Sequence, residues 1–257
     1  MDAAPAIVSR GLSRRFGSTA AVADLDLEIP AGCFYGLLGP NGAGKSTTVA
    51  MLTGTLRPTA GRIALLGRDY DADDPWFKLR MGVVTEQPPL FERLRGREQL
   101  LFTGRLYGLA RDEVERRAAD LLQLLTLARQ QDDLVADYSR GMRKKLAIAC
   151  ALIHAPRLLF FDEPFEGVDA SSAETIRRVL TGLTGRGATV LLTTHILEVA
   201  QKICQRVGLI HRGRLAYEAD MAALAAAGRE LGEVFHEVVG SEGDDELPGW
   251  LLAGADR

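Results

Sequence analysis

Short apolar runs alternate with amphipathic stretches along most of this chain. Phe34–Leu38, Ile63–Leu66, Met81–Val84, Leu158–Phe161, Ala188–Leu192 and Val207–Ile210 are almost wholly apolar. Each is too short for a helix and is bounded by glycine, proline or polar residues, so each predicts a buried strand. Ile7-Val8 and the alternating Leu25–Ile29 predict two more, the second closing at Pro30-Ala31-Gly32. Helical spacing follows several of these runs. Thr48–Leu52 predicts a helix that opens at Gly44 and is stopped by Gly54, which suits a left-handed terminal position. From Arg97 to about Ala136 the leucines and Val114 recur at helical intervals, predicting an all-helical insert. A further helix begins near Ser139 and runs through Ile153 to a break at Pro156, and Ser171-Ser172-Ala173-Glu174 matches a capping box that starts another. Beyond Tyr217, Leu231, Val234, Phe235 and Val238 mark one amphipathic helix, and Gly240–Asp245 is acidic and loose. The alternation of strand and helix predicts an α/β fold with a parallel sheet covered on both faces.

One strand carries chemistry into the next turn. Phe34–Leu38 runs into Gly39-Pro40-Asn41-Gly42-Ala43-Gly44-Lys45-Ser46-Thr47, which fits the phosphate-binding pattern G-x-x-x-x-G-K-[ST]. Three glycines let successive backbone N–H groups converge on one concavity, and the helix opening at Gly44 adds the positive end of its dipole. That is a site for a polyphosphate. In this pattern Lys45 reaches the β- and γ-phosphates, the Ser46 hydroxyl ligates the Mg²⁺ that travels with the nucleotide, and Thr47 is a spare hydroxyl. A second site signal lies at Leu158–Phe161, which ends in Asp162-Glu163-Pro164. Acids at the carboxyl end of a buried strand are where open α/β sheets place ligand chemistry.

Composition narrows the partners. With 257 residues, 47% apolar and 25% charged, the chain is an ordinary globular protein, and a net charge of −3 gives no general attraction to nucleic acid. The basic clusters Arg14-Arg15 and Arg143-Lys144-Lys145 are short and read as solvated faces. Cys33, Cys150 and Cys204 are widely spaced without a paired metal-ligand pattern, which predicts buried free thiols in a reducing compartment. Met1–Pro5 lacks the pattern of a secretory signal, and no apolar run approaches a membrane span, so a cytosolic protein that meets a membrane only through a partner is expected.

Taken in order, these motifs resemble the ATP-binding cassette (ABC) ATPases over about residues 5–215. The carriers are Gly39–Thr47 as Walker A, Tyr138-Ser139-Arg140-Gly141-Met142 as the signature, Leu158–Asp162 as Walker B with Glu163 directly after it, Gly167-Val168-Asp169 as the D-loop, and His195 as the switch histidine. The signature and Leu231-Gly232-Glu233-Val234-Phe235 look like the ATPase subunits of bacterial ABC-2-type exporters. The resemblance implies a P-loop NTPase with a mostly parallel sheet, flanking helices, a small antiparallel β subdomain and an inserted helical subdomain. It divides the chain into an ATPase domain at 1–217, with the insert at about 88–155, and a C-terminal helical tail at 218–257.

The same resemblance implies a nucleotide site and its roles. Phe16 takes the place of the aromatic that stacks on adenine, or else packs as an edge aromatic on the small sheet. Gly39, Asn41, Gly42, Ala43, Gly44, Lys45, Ser46 and Thr47 hold ATP. Asp162 holds Mg²⁺ through its water shell, Glu163 polarises the attacking water, and His195 faces the γ-phosphate. Ser139 and Gly141 contact the nucleotide of a second subunit, while Arg140 faces either solvent or an anion. Asp169 orients groups across the dimer interface or merely precedes the Ser171 cap. At the Q-loop, Glu86 stands where a Mg²⁺-binding glutamine is usual and Gln87 is one residue late, so either an acid replaces the amide or the register slips by one.

The implied activity is that of an ATP-hydrolysing motor subunit. It dimerises head to tail with an identical or different ATPase subunit at the cytoplasmic face of the membrane and drives a separate permease, in the export direction, with no nucleic-acid partner. The permease would meet the insert near Pro88-Pro89-Leu90-Phe91, unless Phe91 packs inside it. The alternative is a degenerate ATP-binding regulatory or assembly module with little turnover. Arg140, Met142 and Glu86 speak for that alternative; Lys45, Asp162, Glu163 and His195 speak against it.

Overall fold

The computed structural model describes residues 5–240. Its strands are β1 (Pro5–Phe16), β2 (Thr19–Pro30), β3 (Phe34–Leu38), β4 (Ala60–Leu65), β5 (Arg68–Asp69), β6 (Met81–Val84), β7 (Leu158–Asp162), β8 (Thr189–Thr194), β9 (Arg206–His211) and β10 (Arg214–Asp220). Its α-helices are α1 (Lys45–Leu52), α2 (Pro75–Lys78), α3 (Gly96–Leu106), α4 (Arg111–Leu124), α5 (Arg140–Leu152), α6 (Ala170–Thr184), α7 (Leu197–Ile203), α8 (Met221–Ala226) and α9 (Leu231–Val239). The strands form two sheets. One is antiparallel, in the order β2-β1-β4-β5, and the other runs β10-β9-β3-β8-β7-β6. In the second sheet β9, β3, β8, β7 and β6 are parallel, and β10 is an antiparallel edge.

The apolar runs are continuous because both faces of the parallel sheet are covered. Leu158 and Phe160 of β7 share a core with Tyr35, Leu37 and Leu191, packed against α1 and the antiparallel sheet. Their neighbours Leu159 and Phe161 join Val190 and Leu192 in the other core, under residues of α5, α6, α7 and α9. This alternation is the period-2 geometry of a strand, with each successive side chain sent to an opposite layer.

The helical insert forms as expected, with α3 and α4 packed together and two single-turn 3₁₀ segments leading to α5. Three boundaries differ from the sequence expectation, which also lacks β5, β10, α2, α7 and α8. Strands β1 and β2 are longer than their apolar cores, because antiparallel pairing runs on to Phe16 and Thr19 through irregular register. The boundary drawn at 217 falls inside β10, which continues to Asp220. From there α8 and α9 return to the core, with Leu224, Leu231 and Val234 buried. The acidic stretch beyond Gly240 lies outside the described residues.

The third difference is the start of α6. The cap is Asp169, whose Oδ1 accepts from the Ser172 N–H at 2.9 Å, and not Ser171. Asp is as good an N-cap as Ser, and starting the helix two residues earlier leaves Ser171 inside its first turn.

Candidate functional site

Strand register brings the motifs together. Leu38 pairs with Thr194 and Asp162 with Thr193, so β3, β7 and β8 end side by side. The phosphate-loop pattern, the acids Asp162 and Glu163, and His195 all emerge from that edge. Gly44 has φ +110, and a Cβ there would lie 2.5 Å from the Ala21 carbonyl oxygen, so both backbone shape and space require glycine at the head of α1. Residues 41–47 line a cavity of about 360 Å³ together with Glu86, Glu163, Glu166 and His195.

Lys45 is buried and donates to the carbonyls of Gly39 at 2.8 Å and Pro40 at 3.2 Å. Its Nζ is also 3.5 Å from Glu163 Oε1, and His195 Nδ1 is 3.1 Å from the same oxygen. The other carboxylate oxygen of Glu163, Oε2, is buried without a partner. Glu163 has φ +46, uncommon for a residue with a side chain, and its backbone is pinned on both sides. Its N–H donates to Thr193 Oγ1 at 3.2 Å, and its carbonyl accepts from Lys144 Nζ at 3.1 Å. Asp162 accepts from Ser46 Oγ at 3.1 Å and from Thr193 Oγ1. A hydroxyl and a carboxylate in contact offer the hard oxygen donors that suit Mg²⁺, an ion that keeps several waters and takes few protein ligands.

At the Q-loop, Glu86 borders both this cavity and an adjoining one of about 290 Å³ shared with Arg140, Arg143, Lys144 and Glu166, whereas Gln87 lines the adjoining one and not the first. Phe16 stands apart from both. It is half-exposed at the tip of β1, with the Arg14 guanidinium 4.7 Å from its ring centroid.

In the signature, Ser139 caps α5 by accepting from the Met142 N–H at 3.2 Å, which leaves its own hydroxyl proton free to donate. A Cβ at Gly141 would lie 2.8 Å from Asp169 Oδ2, so the signature glycine admits the D-loop acid within the same chain. The Ser172 hydrogen bonds hold the Asp169 carboxyl below its ordinary pKa. Arg140 lies over Gly167, where an added Cβ would come 2.2 Å from its Nη1.

The basic cluster on α5 corrects an expectation. Lys144 and Lys145 are buried and do not form a solvated face. They turn inward at the start of α5, where Lys145 donates to Thr126 Oγ1 at 3.0 Å and Lys144 reaches the Glu163 carbonyl. Burial lowers the pKa of Lys144, against Glu86, Glu166 and Asp162, which raise it. Lys144, Thr193 and Glu166 are site residues that sequence reasoning passed over. The only signal was the paired threonines at the end of an apolar strand, Thr193-Thr194.

Residues 22–166 match the ABC transporter family model. The chain belongs to the ABC transporter family. It is therefore an ABC ATPase with a nucleotide-binding domain. It is 39% identical over 222 residues to the daunorubicin/doxorubicin resistance ATP-binding protein DrrA of Streptomyces peucetius, covering 86% of this chain and 67% of that protein. It is 38% identical over 219 residues to the Nod factor export ATP-binding protein I of Rhizobium leguminosarum bv. viciae, covering 85% and 70%. Among solved structures, an ATP-binding subunit of an ABC transporter superposes with a TM-score of 0.83 at 30% identity, over 90% of this chain and 98% of that one. A dimeric ATP-binding cassette bound to ADP and Pi shares the fold, with a TM-score of 0.77 at 24% identity over 84% and 98%. No helix among the described residues of this ABC ATPase is long and apolar enough to cross a membrane.

Proposed function

We propose that this chain is the ATP-hydrolysing motor subunit of an exporter, closing head to tail with a second ATPase subunit and driving a separate membrane permease from the cytoplasmic face. The observation that carries hydrolysis is Glu163. One carboxylate oxygen is held between Lys45 and His195, and the other is buried without a partner in a residue that lines the phosphate-loop cavity. A carboxylate held that way is a general base aimed by its neighbours. Lys45, already at the loop, exchanges its carbonyl contacts for nucleotide phosphate, and His195 keeps Glu163 in place while facing the same cavity. Bound Mg²⁺ would supply charge neutralisation for the phosphates, with Ser46 and Asp162 as its protein oxygens and Glu86 at the cavity wall.

Two observations support assembly. The Ser139 hydroxyl and the α5 N-terminus are exposed, so the signature is available to a second subunit's nucleotide, as a head-to-tail dimer requires. On the insert, Phe91 (54% exposed) meets Phe102 (42%) edge to face at 5.2 Å, and Leu106 continues the same face one turn on. An exposed apolar cluster of that kind suits a permease helix. The export direction rests on the relatives named for export and drug resistance.

Replacing Glu163 with Gln tests the proposal. ATP hydrolysis should fall 10²–10⁴-fold, or roughly 3–5 kcal/mol, because the base is gone. ATP binding should persist, and an ATP-dependent dimer should accumulate on size-exclusion chromatography. Hydrolysis at the parent rate would remove Glu163 from the mechanism.

A further inference from the structure

A further cavity shares no lining residue with the phosphate-loop cavity or with the one beside it. It is a groove of about 710 Å³ where the C-terminal ends of α4, α5 and α6 meet. Its apolar floor includes Leu124, Leu152, Val179 and Leu183, and Leu124 is 46% exposed. Three arginines, Arg157, Arg178 and Arg186, line it, and no acidic residue does. None of the three guanidiniums makes an ion pair or a side-chain hydrogen bond among the described residues, although arginines elsewhere on these helices do, as Arg177 does with Glu174 and Arg116 with Glu113. The groove is thus apolar below and uniformly cationic at its edge.

Gly182 is an independent observation. It sits inside α6, one turn after Arg178, and lines the groove. A Cβ added there would meet nothing within 4 Å, and its φ lies outside the range that glycine alone favours. Neither packing nor backbone shape calls for glycine, and glycine in a helix interior is less stable than alanine. What the missing side chain does is leave the groove open.

We propose that this groove binds a small amphiphilic carboxylate, an apolar chain of medium length lying over Leu152, Val179 and Leu183 with its anionic head among the three arginines. The volume is that of a small-molecule site, and such sites are mostly apolar with a few placed polar groups. The planar guanidinium fork matches a carboxylate in two parallel hydrogen bonds and remains charged at every accessible pH. Both α5 and α6 begin at nucleotide-site residues, Ser139 and Asp169, and end at this groove, so its occupant would touch the far ends of two helices that serve the site.

Calorimetric titration of the full-length protein with decanoate tests this. Saturable binding of one decanoate per chain is expected, at least tenfold tighter than decanol and with no binding of decyltrimethylammonium. Gly182→Leu fills the groove and should abolish the binding while leaving the thermal midpoint unchanged or raised. Arg178→Glu with Arg186→Glu changes only exposed side chains and should weaken decanoate at least tenfold, so the charge requirement is read even if the glycine variant fails to fold. Equal affinity for decanol, or decanoate binding that survives either variant, would overturn the proposal. Binding to phosphatidylglycerol vesicles with none to decanoate would overturn it too, making the arginines a membrane-surface patch.

Discussion

Lys144 is the side chain that joins the separate pieces of this site. From α5 it donates to the carbonyl of Glu163 at 3.1 Å and lies 3.5 Å from that of Thr85, just before Glu86. A single buried ammonium therefore spans the signature helix, the Walker B turn and the Q-loop. Its bond to Glu163 falls on a residue with positive φ, where a shift of the peptide would swing the carboxylate away from His195 and Lys45. Lys144→Met keeps the apolar stem and removes the donor. We expect turnover to fall about tenfold or more, the effect of roughly 1.4 kcal/mol in the barrier, while the ATP dissociation constant is retained, because Lys144 is a positioning residue. Steady-state kinetics with a parallel ATP titration measures both, and a loss of thermal stability with kcat unchanged would make Lys144 merely structural. Nothing in the sequence singled it out. A Lys in a basic triplet reads as surface until the helix is docked and one of its faces is seen to be covered.

At the scale of elements, α5 and α6 begin within contact of each other, and each is capped by a residue that we propose meets nucleotide, Ser139 and Asp169. Ser139 both stabilises a helix and presents a hydroxyl, and substitution can separate the two. Ser139→Ala removes the cap and should cost about 1 kcal/mol of stability. Ser139→Asp retains a cap of equal quality but has a carboxylate where the hydroxyl proton was, at the place where the proposed head-to-tail dimer would bring a second subunit's phosphates. We expect its unfolding midpoint to match the parent and its ATP-dependent dimer to be lost in sedimentation velocity. A dimer of parental strength in the Asp variant would confine Ser139 to capping. The helix after the D-loop shows why caps are hard to assign from sequence. Ser171-Ser172-Ala173-Glu174 is a sound capping box, but Asp169 offers an equivalent oxygen two residues earlier, and Asp169 also faces Gly141. The earlier start wins where tertiary packing holds Asp169 beside α5.

For the whole molecule, the stability of the packed layers carries its own pH signature. His154, just after α5, stacks on Tyr107 with ring centroids 3.7 Å apart, and its Nε2 is 2.8 Å from the Met81 carbonyl on β6. Burial pushes its pKa down to about 4; the Met81 bond opposes the shift and Arg117 adds to it. The unfolded chain then binds the proton more readily than the folded one. The stabilising contribution is complete above the ordinary histidine value near pH 6.5 and is lost as pH falls toward 4. Between pH 7 and pH 5 this group alone should remove up to about 2 kcal/mol, less whatever solvent reaches the partly buried ring. His154→Phe keeps the stack and cannot titrate, so urea unfolding at the two pH values should show a smaller loss than in the parent. An equal loss would mean that other groups carry the acid sensitivity. By itself the sequence determined β1–β4 and β6–β9, the helical insert and the order of the motifs, because these rest on local periodicity and on glycine and proline chemistry within a few residues; β5 and β10, which have no apolar run of their own, form by pairing with β4 and β9. Only the tertiary structure decided that Glu86 and not Gln87 borders the phosphate-loop cavity, that Lys144 and Lys145 are buried, that Asp169 caps α6, and that Gly182 opens a groove edged by three arginines. Each of these depends on which face of an element another element covers, and that is set by contacts between residues far apart in the chain.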